Sequence, residues 1–112
     1  MNEAFFKTMD GTGANIDIAC GFVPAYVKVV NIESTTMEEL EWFKGMADAS
    51  AIKHVTGTVA RTKITSLGIT PLNDSSSSTG EKGFRIGADT DVNVAGETIV
   101  IMALRGGDGQ SI

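Results

Sequence analysis

The chain has 112 residues, 14 acidic against 9 basic for a formal net charge of −5, and 42% apolar residues. A chain of this length buries about two-thirds of the surface it exposes when unfolded, enough for a single domain (residues 1–112) with one core and no staple. One cysteine excludes an intramolecular disulfide framework and an all-cysteine metal site, one histidine leaves little for imidazole chemistry, and the acidic balance argues against a nucleic-acid partner.

The first residues, MNEAFFKTMDG, carry Glu3 and Asp10 where a secretory signal would have positive charge and a long apolar run. No window approaches the eighteen or more apolar residues of a membrane-spanning helix. The expectation is synthesis in a cytoplasm, with no membrane partner.

Along the chain, 13 glycines with threonine and valine between them suggest short strands and tight turns. Asn15 to Ala19 alternates Ile16 and Ile18 against Asp17, the period of a half-buried strand. Pro24 cannot donate to a ladder and belongs at a strand start or edge. Ala25 to Ile32 reads AYVKVVNI, a strand with apolar groups on both faces. The segment 36–44 is ambiguous. Thr36-x-x-Glu39 resembles a capping box with Met37, Leu40 and Phe43 on one helix face, whereas the aromatic run ending at Gly45 favours a loop and then a strand over Glu39 to Lys44. The strand reading is preferred, with one helical turn as the alternative.

Ile52 to Leu67 is rich in β-branched residues, and Gly57 divides it into two strands or bends one. From Gly68 to Gly80 the chain reads GITPLNDSSSSTG, whose polar tract predicts a flexible, serine-rich surface loop at about 73–80. Phe84-Arg85-Ile86 is another short strand. Thr98 to Leu104, TIVIMAL, is the most apolar segment, with Ile99 and Ile101 on one side and Val100, Met102 and Leu104 on the other. It is expected at the centre of a sandwich, or with its outer face against another subunit. Turn signals at roughly eight- to twelve-residue spacing predict an all-β fold, a single-domain sandwich or barrel of short antiparallel strands.

Chemical motifs are sparse. Gly11-Thr12-Gly13 starts like a dinucleotide fingerprint but lacks the third glycine and the following helix, so a turn is expected. Asp89-x-Asp91-x-Asn93 opens like a calcium loop, yet Val94 and Val100 stand where glycine and glutamate are required, so an Asx turn is the better reading. Cys20 reads as a small buried hydrophobe and His54 as a surface or edge-strand residue; a Cys20–His54 dyad lacks any orienting partner in sequence. No catalytic, cofactor-binding or metal residue is assigned. Charge is more informative: Glu33, Glu38, Glu39 and Glu41 cluster, whereas 49–73 holds Lys53, Arg61 and Lys63 and no acid. The two stretches are read either as solvated faces or as patches that meet between neighbouring subunits.

GFVPAYVKVVNI (21–32), LEWFKGM (40–46) and GFRIGADTDVNVAGETIVIMALR (83–105), with GITP (68–71) between them, together resemble small bacteriophage virion structural proteins. Both head-associated proteins and β-rich tail-fibre modules share this look. The resemblance implies a non-enzymatic subunit displayed in many copies at the virion surface, with the major capsid protein and further copies of itself as partners. The chain starts at its own Met1 and shows no fibrous stem, which favours a capsid decoration (cement) protein. The alternative is a tail-fibre module binding carbohydrate, for which Trp42, Tyr26 and Phe84 would be the aromatic platform.

Overall fold

The computed structural model describes residues 4–33, 37–55 and 61–106. It forms eight strands: β1 (Ala4–Asp10), β2 (Ile16–Ala19), β3 (Pro24–Asn31), β4 (Glu39–Phe43), β5 (Ser50–His54), β6 (Thr62–Leu72), β7 (Gly83–Ile86) and β8 (Thr98–Arg105). They make one sheet in the order β1-β8-β3-β4-β5-β6-β7-β2, every neighbour antiparallel. The sheet is curled into a half-barrel, so the all-β expectation holds and its barrel arm replaces the two-layer sandwich.

A single sheet has no second layer, so it buries its apolar face only by curling that face onto itself. Val27 and Val29 of β3, Leu40 and Trp42 of β4, Ile69 of β6, Phe84 and Ile86 of β7, and Ile99, Ile101 and Ala103 of β8 line the inside. Alternation by two fills this face from every strand. Phe22 and Val92, from the connections, join the same cluster.

The curl is enforced where backbones approach too closely for a side chain. A Cβ on Gly68 would overlap the Ser50 carbonyl, and one on Gly83 would overlap the Ile18 carbonyl. At the same belt β5 and β6 change register between Ser50 and Ala51. Ala49 and Leu67 there adopt left-handed backbone, with φ of 66° and 64°. Gly68 N–H donates to Ala49 O, and Gly87 N–H donates to Gly68 O, which locks the bend across three strands. Bulged, irregular pairing of this kind sharpens the bend of a sheet.

Several elements follow the sequence reading. Pro24 opens β3, and 39–43 is a strand. Thr36 of the competing capping box and Gly57 lie outside the described residues. Three placements differ. β6 runs on through Gly68 to Leu72, because the glycine permits a close crossing rather than ending the strand. Pro71 is tolerated there because β5 pairs with β6 only as far as Ile69. β1 carries apolar residues on both phases, Phe5 and Met9 inward and Phe6 outward, so no period-two signal announced it. Its presence moves β8 from the expected centre to one strand from the edge.

Replacing Ile101 with aspartate should cost several kcal/mol, since it puts a carboxylate in place of a fully buried side chain of the apolar core. A near-wild-type melting point would refute this placement. Leu67 is half exposed, so Leu67→Gly should relieve the left-handed strain and raise stability by about 1 kcal/mol, read as a higher urea midpoint at unchanged slope.

Candidate interaction surface

With the inner face committed to the core, the outer face of the sheet carries whatever the protein presents. Cross-strand register resolves it into rows. One row runs Ala4, Leu104, Tyr26, Phe43; the next runs Phe6, Met102, Lys28, Glu41, Ile52, Lys63; the third runs Thr8, Val100, Val30, Glu39, His54. In the half of the sheet made by β1, β8, β3 and β4 an apolar patch of Phe6, Met102, Leu104, Tyr26 and Phe43 therefore faces outward, beside the charged Lys28, Glu39 and Glu41. Phe6 is 67% exposed, Phe43 44% and Leu104 38%. Tyr26 and Phe43 pack edge to face with ring centroids 5.0 Å apart, a cross-strand aromatic pair that fixes both rings.

The opposite half differs in kind. Asp17 of β2, Arg85 of β7 and Thr70 of β6 stand in one outward row. Arg85 grips Asp17 with Nε to Oδ1 at 2.7 Å and Nη2 to Oδ2 at 3.0 Å, and Ser78 N–H donates to the same carboxylate at 2.9 Å. The hydrogen-bonding Arg85 guanidinium, helped by Ser78, holds the Asp17 carboxyl well below the usual range against the opposing effect of burial. The serine-rich segment is thereby tied to β2, and Asn73 Oδ1 organises its start by accepting from the Ser75 and Ser76 amides.

The charges at the middle of this half, Lys28, Glu39 and Glu41, are neutralised within the chain. Lys28 pairs with Glu39 at 3.3 Å and Arg61 with Glu41 at 2.8 Å, while Tyr26 Oη donates to the other Glu41 oxygen at 2.6 Å. Burial and the Glu41 carboxylate push the Tyr26 phenol above its ordinary value. The acidic and basic stretches singled out in the sequence thus meet inside one molecule. Lys53 is also engaged, reaching from the inner phase of β5 to Asp89 at 2.9 Å and Asp91 at 2.6 Å. Burial disfavours its ammonium, but the two aspartates outweigh that and raise its pKa.

Around that ion pair lies a polar knot that closes one end of the half-barrel. Asp89 Oδ1 accepts from the Asp91 and Val92 amides, the Asx turn expected from sequence. Asn93 donates to Ala14 O and Gly87 O and accepts from the Thr12 amide, which makes Gly11–Asn15 a turn clamped to the 87–93 connection. Asn31 donates to Glu97 Oε1 at 2.7 Å and to Val92 O. Of these three buried polar side chains, sequence inspection read Asp89 as the start of an Asx turn and gave Asn93 and Asn31 no structural role. Among the described residues no group of three or more His, Cys, Asp or Glu side chains is placed to hold a metal.

Cys20 and His54 do not meet. Cys20 follows β2 beside Lys82, near the Leu72 end of β6, whereas His54 adjoins Lys53, which faces the opposite, Thr62 end. The Cys20 thiol is half-buried, donates to Phe22 O at 3.2 Å, and is pushed up in pKa by burial. Its chemistry is that of a quiet thiol. Of the three candidate carbohydrate-stacking rings, Trp42 and Phe84 are buried in the core and only Tyr26 reaches the surface. Sequence could not separate Trp42 from Phe43, adjacent aromatics on opposite faces.

Lys53→Met should cost about 3 kcal/mol, because it strands the buried Asp89 carboxylate, whereas Arg61→Met at an exposed pair should cost under about 1 kcal/mol. Equal losses in urea titrations would contradict this ranking. Because folding lowers the Asp17 pKa, its contribution is present above the ordinary carboxylate range and lost as pH falls. Arg85→Met should accordingly flatten the fall in stability below about pH 4. Comparison with family models, with curated proteins and with solved structures finds no match.

Proposed function

We propose that this chain is a non-enzymatic virion structural protein, a decoration module that coats a bacteriophage head in many copies. The apolar outer face of β1, β8, β3 and β4 is what binds the shell. The observation that carries the reading is the exposure of Phe6, Phe43 and Leu104 on one continuous face whose central charges, Lys28, Glu39 and Glu41, are already paired. Such a face loses water without stranding a charge. The segments resembling phage virion proteins, 21–32, 40–46 and 83–105, include β3, β8 and all but the first residue of β4, which build most of this face.

The size of the face fits multiplicity better than single tight binding. Four strands at about 4.8 Å spacing and about 23 Å of strand length give a footprint on the order of 400 Å². That is about half of the ~800 Å² that each partner contributes to a standard interface. Modest contacts repeated across a lattice of capsid subunits sum through avidity.

Binding to purified, stripped heads tests the proposal. Wild-type protein should saturate at hundreds of copies per particle, and Phe43→Lys with Leu104→Lys should reduce occupancy at least tenfold while melting like wild type. Arg61→Glu with Lys63→Glu should also lower occupancy, because it leaves Glu41 unpaired beside the apolar rows. Copies confined to a tail tip, or unchanged occupancy of the Phe43/Leu104 variant, would overturn it.

A further inference from the structure

The edge of the sheet carries an inference independent of any virion. β1 is bonded to β8 through all seven of its residues with no shift in register, and it stands at the end of the strand order. It contains no proline and no bulge, and of the devices that blunt an edge it holds only the charged Lys7 and Asp10. Phe6, one residue before its middle, is the most exposed large apolar side chain among the described residues. We propose that β1 pairs antiparallel with β1 of a second copy, about a two-fold axis through Phe6, to give one continuous sheet across both copies.

Register follows from charge. A two-fold axis normal to the sheet keeps inner face with inner face only if it passes through a residue, so that paired residues share a phase. An axis through Lys7 would set the two ammonium groups directly opposite each other, which is unfavourable. An axis through Thr8 would oppose Phe6 to Asp10 and place a carboxylate against the exposed ring. An axis through Phe5 would set the exposed Phe6 ring opposite Ala4, with no aromatic partner. The Phe6 axis aligns 4–8 and conflicts nowhere.

In that register Phe6 faces Phe6 of the second copy on the outer side, next to Met102 in both molecules. On the inner side Lys7 lies opposite Phe5 of the second copy, its ammonium beside an aromatic ring. The strand is therefore complementary to itself in both faces, which is why a second copy is the occupant. A cross-strand aromatic pair at the axis and two symmetric Lys7–Phe5 contacts are what a two-fold interface requires.

Sedimentation of the wild-type chain and disulfide trapping test this. In a Cys20→Ser background, single cysteines replace Phe6, Lys7 or Thr8, and a mixture of Ala4→Cys and Thr8→Cys chains preserves the Phe6 ring. Directly opposed positions lie within disulfide reach, whereas 7–7 and 8–8 pairs are offset by two and four residues. Wild type should dimerise with rising concentration, Phe6→Cys should cross-link at least tenfold faster than Lys7→Cys or Thr8→Cys, and the Ala4/Thr8 mixture should form a mixed disulfide that neither chain forms alone. A wild-type monomer up to ~1 mM, fastest cross-linking at position 7 or 8, or no mixed disulfide would overturn the proposal.

Discussion

Curvature is the constraint on which this protein depends. Eight antiparallel strands in a single sheet have no opposing layer, and a flat version would leave Val27, Val29, Ile99 and Ile101 in water. The bend is made by backbone, through the contacts of Gly68 with Ser50 and of Gly83 with Ile18, and through left-handed residues at 49 and 67. The strain of placing Ala49 and Leu67 there is offset by the core that closes over the bend.

A curled single layer has a consequence for what the surface can do. Residues that a two-layer fold would divide between an inner and an outer sheet here alternate across one strand. In β8 the inward Ile99, Ile101 and Ala103 belong to the core, whereas Val100, Met102 and Leu104 face outward with Phe6 and Phe43. The outer half-face is thus a by-product of two-sided apolar strands. The polar half, centred on Asp17 and Arg85, gives the same molecule a solvated back.

Electrostatics act mostly within the chain. Lys28–Glu39, Arg61–Glu41 and Lys53–Asp89–Asp91 consume much of the charge that a linear reading assigned to contacts between subunits. Arg61 and Glu41 lie twenty residues apart, and their meeting depends on β4, β5 and β6 being consecutive in the sheet. Exposed pairs of this kind contribute little individually, so their role is to leave the apolar rows electrically quiet rather than to hold the fold together.

The sequence by itself determined the all-β class, the strands at β2, β3, β4, β7 and β8, the Asx turn at Asp89, and the two-faced character of 98–104. Each rests on local information: period-two alternation, β-branched composition, or a side chain bonding its own backbone a few residues on. Only the tertiary structure decided the rest. Whether Gly68 ended a strand or bent one depended on Ser50 passing beneath it, eighteen residues away in the chain. Whether Trp42 or Phe43 faced out was a matter of which side the curl closed on. β1 escaped local reading because an edge strand with apolar residues on both phases has no period of its own, and acquires its faces only from β8. Pairing in a sheet is non-local, so strand propensity can be written in a segment, whereas its neighbours, its register and its exposed side belong to the whole chain.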